Sequence, residues 1–192
     1  MRRALIMVAG ILVSAVIPCT TLAATVIALT VEELTQGSDR VVRARVVSVS
    51  TESDAGLGMT YRLTGLEVLE DYGGSGPRSL VLRQLGGEAG GSSMHVAGDA
   101  RFEMGEEVVV FLRSGQAGGE VVYLEGLSLG KFRVARDISG AAMAVRDIGG
   151  LHLLRPGDGE VTILAKIPLE NLRVRVGRVL APGAPSEGDG KN

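Results

Sequence analysis

Apolar and polar residues alternate along much of this chain, and a period of two predicts strands. Val42, Ala44 and Val46 alternate with Arg43 and Arg45, after which Val47 and Val49 continue the apolar series on the opposite parity, between Ser48 and Ser50. A strand that changes its apolar parity part-way contains a bulge or wraps a curved surface. The next segment repeats the behaviour: Met59, Tyr61 and Leu63 alternate with Thr60, Arg62 and Thr64, and beyond Gly65 the apolar positions become Leu66 and Val68. Gly65 stands where the phase changes, as a glycine at a bulge does. Two long strands that each change face predict a small closed or nearly closed barrel, whose strands bend and serve two sides of one core.

Shorter elements follow. Gly73 to Pro77 is a turn cluster, and Leu80 to Leu82 is a short strand beyond it. Val108-Val-Val-Phe-Leu112 is a continuous apolar run, the pattern of a central strand covered on both faces. Val121 to Leu127 and Phe132 to Ala135 add two more strands. Asp137-Ile-Ser-Gly140 predicts a hairpin turn returning through Met143 and Val145, and Arg155-Pro-Gly-Asp-Gly159 another, between Leu151 to Leu154 and Val161 to Ile167. Thr30 can cap a helix, and Glu33 three positions on completes the spacing of a capping box, so a short N-terminal helix runs to about Gly37. Pro168 suits a first helical turn, and Leu172, Val176 and Val179 keep helical spacing after it. The expectation is a mainly β domain: a barrel with a short N-terminal helix, an added β-hairpin region and a C-terminal helix, without internal repeats.

The ends of the chain set its compartment. Arg2 and Arg3 lead into an apolar run from Ala4 to Ile17, Pro18 breaks it, and Thr21-Leu-Ala-Ala24 follows, which is the order of a secretory signal peptide. That run is about 14 residues long, short of the roughly 20 needed to span a bilayer. No later segment is apolar enough either. The expected division is a signal peptide over 1–23, one domain over 24–180 and a disordered tail over 181–192, rich in Gly, Pro and charge. Val16-Ile-Pro before Cys19 lacks the leucine and small residue of a lipoprotein signal, and the arginine pair lacks a twin-arginine context. Export by the general secretory route, to the periplasm or outside the cell, is the reading.

Cleavage after Ala23 moves the formal net charge from −2 to −4, because it removes two arginines and no acid. It also removes the one cysteine. The exported domain is then held by its hydrophobic core without a disulfide. A mildly acidic protein with dispersed arginines lacks the concentrated basic face of a nucleic-acid binder. With 3% aromatics and no tryptophan it also has few stacking platforms. Arg43, Arg45, Arg62 and Arg83 could form a basic stripe, but a solvated strand face is the better account of them.

Candidate chemistry concentrates between Gly86 and Gly105. A connection of about 20 residues inside a compact domain exceeds the usual length and is often functional. It holds Glu88, Ser92, Ser93, His95, Asp99 and Arg101, with Met94, Val96 and Phe102 available to pack it down. A serine, a histidine and an aspartate invite a hydrolytic triad, yet nucleophilic catalysis needs a base held against the nucleophile, and a glycine-rich loop holds side chains poorly. A metal site wants at least three ligands at fixed spacing. His95 and His152 are far apart, with no His-Glu-x-x-His between them. No EF-hand pattern occurs, and neither glycine-rich segment leads into Lys-Ser or Lys-Thr. The expectation is no metal and no cofactor.

Leu34 to Val49, Val81-Leu-Arg-Gln-Leu-Gly-Gly-Glu88, Phe102-Glu-Met-Gly-Glu-Glu107 and Gly130-Lys-Phe-Arg133 together resemble a family of uncharacterised exported bacterial proteins. That resemblance covers most of the exported chain and implies an OB-like barrel, with no activity attached. More remotely the chain resembles the netrin-like domain of tissue inhibitors of metalloproteinases. Those inhibitors present an N-terminal cysteine to a catalytic zinc; here the exported chain starts at Ala24 or Thr25 and holds no cysteine. Fold likeness alone carries no function over. The expectation is therefore an exported, non-catalytic binding or accessory module for a protein or envelope component, contacted through Glu88, Met94, His95, Asp99 and Arg101. The alternatives are a protease inhibitor using its N-terminus or the Gly86 to Gly105 loop, and a hydrolase using His95.

Overall fold

Residues 24–54, 56–89, 91–115, 120–149, 151–154 and 163–181 are described by a computed structural model. The expected signal peptide, the turn at Arg155 to Gly159 and the tail beyond Ala181 lie outside these residues. In chain order the elements begin with β1 (Ala24–Ile27), α1 (Val31–Gly37), β2 (Arg40–Asp54), β3 (Met59–Gly73) and β4 (Ser79–Leu85). β5 (Gly87–Ala89), β6 (Ser92–Met94), β7 (Glu107–Ser114), β8 (Val121–Leu124) and a 3-10 turn (Leu127–Gly130) follow. The last are β9 (Lys131–Arg136), β10 (Ala142–Val145), β11 (Leu151–Leu154), β12 (Lys166–Pro168) and α2 (Leu169–Leu180). The chain is mainly β, as its periodicity predicts.

Five strands close into a hydrogen-bonded ring. β2, β3 and β4 form an antiparallel meander, β7 pairs with β2, and β8 pairs antiparallel with β7 and parallel with β4. Inside the ring lie Val42, Ala44, Val46, Leu66, Val68, Leu80 and Leu82, with Val108, Val110 and Leu112 from β7. Burying each of these valine and leucine side chains stabilises the fold by about 1.5–3 kcal/mol. The alternate residues of β7, Val109 and Phe111, face a second core made with both helices, Phe132 of β9 and Ala144 of β10. β7 is thus covered on both faces, as its continuous apolar run predicts.

Three register shifts interrupt the ladder of β3 with β2: Tyr72 and Leu69 of β3 are unopposed in two of them, and the third falls in β2. Its register with β3 passes from Val46 opposite Leu66 to Ser48 opposite Gly65, leaving Val47 unopposed. β3 pairs with β4 without interruption, and its buried residues Thr60, Thr64, Leu66 and Val68 keep one parity throughout. The expected phase change in β3 is therefore corrected: two threonines carry the inward face, and Met59, Tyr61 and Leu63 lie on the other side. The switch in β2 serves no second core either. Its ladder with β7 ends at Arg45, and Val47 beyond it is 48% exposed.

Both helices start where the sequence places them. Thr30 Oγ1 accepts from the Glu33 amide at 3.2 Å while the Glu33 carboxylate accepts from the Thr30 amide at 2.8 Å, the reciprocal cap expected for α1. α2 buries Leu169, Leu172 and Val176, with Pro168 as the residue that precedes its first turn rather than one inside it. The Asp137 turn is present: its carboxylate accepts from the amides of Ser139 and Ala141 at 2.8 and 3.0 Å, joining β9 to β10. The second hairpin is corrected among the described residues. β11 pairs in parallel with β1, and β12 pairs with β10, so the two segments expected to be partners belong to different sheets.

Candidate functional site

The connection from Gly86 to Gly105 folds over one end of the ring. Gly86 and Gly87 adopt φ values of +110° and +128°, a region that side chains rarely enter. They turn the chain out of β4 into the β5–β6 hairpin while the Gly86 amide holds the Thr60 carbonyl at 2.7 Å. Further on, Ala100 and Phe102 insert into the ring core, and the Gly105 amide reaches the Val46 carbonyl at 2.8 Å. The segment is therefore a packed cap with fixed ends. Met94 and Val96 are half-buried beneath it.

Asp99 is pinned within that cap. Its Oδ1 accepts from Gln84 Nε2 at 2.6 Å and from the Ala100 amide at 3.0 Å. Burial nevertheless raises its pKa above the usual carboxylate value, against the lowering effect of those donors and of Arg62 and His95 nearby. Gln84 Nε2 also donates to the Ala100 carbonyl at 3.0 Å, tying β4 to the cap.

Between the cap and β9–β10 lies an open cleft of about 770 Å³, within the range of ligand sites. One wall carries His95, Asp99 and Arg101; the other side carries Asp147 and Leu151. Arg133 of β9 and Val145 of β10, which are register partners, line it between these walls. Lys131 is fixed on the same strand: its Nζ donates to Glu106 Oε1 and Oε2 at 2.8 and 2.7 Å and to the Arg101 carbonyl. It also stands 4.6 Å from the centre of the Phe102 ring. Arg101 and Arg133 line the cleft and make no ion pair among the described residues.

Three of the five residues expected to bind a partner, His95, Asp99 and Arg101, therefore meet on one wall. Met94 lines a smaller crevice with Arg62, His95 and Asp99. Glu88 is exposed on β5 and lines neither space. Lys131, Arg133, Glu106 and Asp147 escape a reading of the loop alone because they come from other elements. The signal for the first two is the alternation of Lys131 and Arg133 with Phe132 and Val134.

Ser128 also lines the cleft, and Gly126-Leu-Ser-Leu-Gly130 carries Gly-x-Ser-x-Gly spacing, a signal available in the sequence. Leu127 at φ +55° is the one non-glycine residue with positive φ among those described. The Ser128 amide bonds the Gly98 carbonyl at 3.0 Å, but its Oγ is covered and has no hydrogen-bond partner. The turn joins strand to strand, not strand to helix as in a nucleophile elbow. Among the described residues no hydrogen bond joins His95 to Asp99 or Ser93.

The four-arginine stripe does not form. Arg62 sits opposite Gln84 and Arg83 opposite Leu63, so the two arginines project from opposite faces. Arg83 stacks 3.7 Å from the Tyr61 ring centre, and Arg43 is paired with Glu107 at 2.7 Å. Among the described residues no cluster of three metal-binding side chains occurs, and no helix is long and apolar enough to cross a membrane. A scan against protein-family models found no match, and neither a search of curated proteins nor one of solved structures returned any.

Proposed function

We propose that this chain is an exported, non-catalytic binding or accessory module that engages a protein or envelope component through the cleft beneath its cap. The observation that carries the proposal is the meeting of His95, Asp99 and Arg101 with Lys131 and Arg133 around one open space. Arg101 and Arg133 on its lining, without ion-pair partners among the described residues, offer strong, orientable donors to a partner's carboxylates or carbonyls. The ring order supports an OB-like assignment: a long bent first strand, a meander, and a last strand closing parallel to the third. Export, to the periplasm or beyond the cell, rests on the leader pattern in the sequence, and the acidic exported chain favours no nucleic acid.

A non-catalytic role is favoured by the state of the nucleophile candidates. Ser128 Oγ has no base within hydrogen-bond reach, and the Lys131 ammonium is occupied by Glu106. An inhibitor acting through a free N-terminus is disfavoured because Ala24–Ile27 is paired along its length with β11. An inhibitor acting through the cap is separated by assay: purified protein against metallo- and serine proteases gives a flat response on the binding-module reading. The direct test is capture of partners from native cells by wild type and by the His95→Ala, Arg101→Ala, Arg133→Ala triple variant. Loss of the captured component supports the cleft, and retention of every component would remove it.

A further inference from the structure

β2 runs past the ring that it helps to close. Its pairing on the β7 side ends where the Val46 amide donates to the Glu106 carbonyl at 2.9 Å and the Val46 carbonyl accepts from the Gly105 amide at 2.8 Å. On its other edge β3 continues beside it, from Ser48 opposite Gly65 to Asp54 opposite Met59, without a register shift. Val47 to Ser53 are all exposed, and among the described residues no strand pairs with the edge that β7 leaves. Gly87 of β5 approaches the Thr51 side chain, but β5 takes its ladder from β6. None of the residues from Val47 to Ser53 lines the cleft.

A regular strand edge with unpaired amides and carbonyls is a template for another strand, and proteins usually blunt such edges with lysine or proline. Neither occurs in Val47-Ser-Val-Ser-Thr-Glu-Ser53, whose midpoint is Ser50. An antiparallel copy laid along it about a two-fold axis sets Ser50 opposite its own counterpart, Ser48 opposite Glu52 and Val49 opposite Thr51. Those pairs are complementary: a hydroxyl donor meets a carboxylate, two β-branched side chains meet, and no like charges are opposed. The next acid, Asp54, is held in its own turn, where Oδ1 accepts from the Gly56 and Leu57 amides at 3.0 and 3.1 Å. We infer that the β2 edge from Val47 to Ser53 binds the same edge of a second copy of this chain, joining two sheets into one across an isologous interface. The surface is separate from the cleft and does not depend on it.

The test is sedimentation equilibrium of the purified protein, with cysteine cross-linking to fix the register. Wild type should show a reversible, concentration-dependent equilibrium between monomer and dimer. Ser50→Lys sets two like charges directly opposite each other and should weaken that association about tenfold or more. Its urea midpoint as a monomer should match wild type, because the position is exposed. Opposed Cα atoms in an antiparallel pair lie about 4.5–5.5 Å apart, a span that a disulfide bridges. In a Cys19→Ser background, which removes the one native cysteine, Ser50→Cys should oxidise to a covalent dimer, and a mixture of Ser48→Cys with Glu52→Cys to a heterodimer. Ile138→Cys, on the exposed β9–β10 turn, should not cross-link. A wild type that stays monomeric at about 1 mM, a dimer that Ser50→Lys leaves intact, or cross-linking no faster from Ser50→Cys than from Ile138→Cys would overturn the proposal. It also falls if the purified protein is monomeric and Ser50→Cys traps a different chain in the cell, which would assign the edge to another occupant.

Discussion

Glu106 accepts two hydrogen bonds from one ammonium, Lys131 Nζ, at 2.7 and 2.8 Å, and so fastens the end of the cap to the strand that floors the cleft. The Lys131 and Glu106 side chains are 14% and 9% exposed, respectively. Breaking a buried pair by removing one partner leaves an uncompensated charge, which costs about 3–5 kcal/mol. Lys131→Met and Glu106→Gln should each lower the urea midpoint by an amount of that order. The double variant should recover much of the loss, because neither charge is then stranded, and a double-mutant cycle measures the coupling. Additive losses would show that the pair does not act as a unit.

A second ion pair predicts the pH dependence of stability. Arg175 donates to Glu32 and holds its carboxyl below the ordinary value of 4.5. The folded form therefore binds fewer protons than the unfolded form across that interval. The stabilisation is complete above pH 4.5 and is lost as pH falls through the lower folded value. The pair is partly exposed, so Glu32→Gln should cost about 0.5–1 kcal/mol at neutral pH. The two proteins should converge on acidification. Asp99 has the opposite sign, since burial raises its pKa and its contribution improves as pH falls. A pH titration of unfolding midpoints on Glu32→Gln and Asp99→Asn separates the two slopes.

Two glycines should respond in opposite directions to alanine. A Cβ on Gly130 would collide with the backbone carbonyl of Glu125, which no side-chain movement relieves. Gly130→Ala should therefore lower stability by about 3 kcal/mol or more, in the range of overpacked cores. Gly177 lies inside α2 with open space where its Cβ would stand. Gly177→Ala should raise stability by about 0.5–1 kcal/mol, the helix preference of alanine over glycine. Denaturant midpoints of the two variants check both signs.

Much of the fold was legible because burial and period agree. The continuous run Val108 to Leu112 could only be doubly covered, and the Thr30–Glu33 spacing fixes the start of α1 locally. The reading of β3 failed for a different reason. Thr60 and Thr64 are buried on the inward face, while Met59, Tyr61 and Leu63 lie on the other face, so hydrophobicity pointed to the wrong side. The parallel pairing of β1 with β11 joins residues far apart in sequence and leaves no local signal. At the site, loop length and polarity identified His95, Asp99 and Arg101. Lys131 and Arg133 became partners of those residues only through the pairing of β9 with β7 and β10.

The most direct test replaces Arg101 with a photo-cross-linking residue in one protein, Arg133 in a second and the fully exposed Ile138, on the β9–β10 turn, in a third. Irradiated in the native cell, Arg101 and Arg133 replacements should trap the same component and the Ile138 replacement should not. Trapping from Ile138 alone, or different components from the two cleft positions, would contradict a binding site in the cleft.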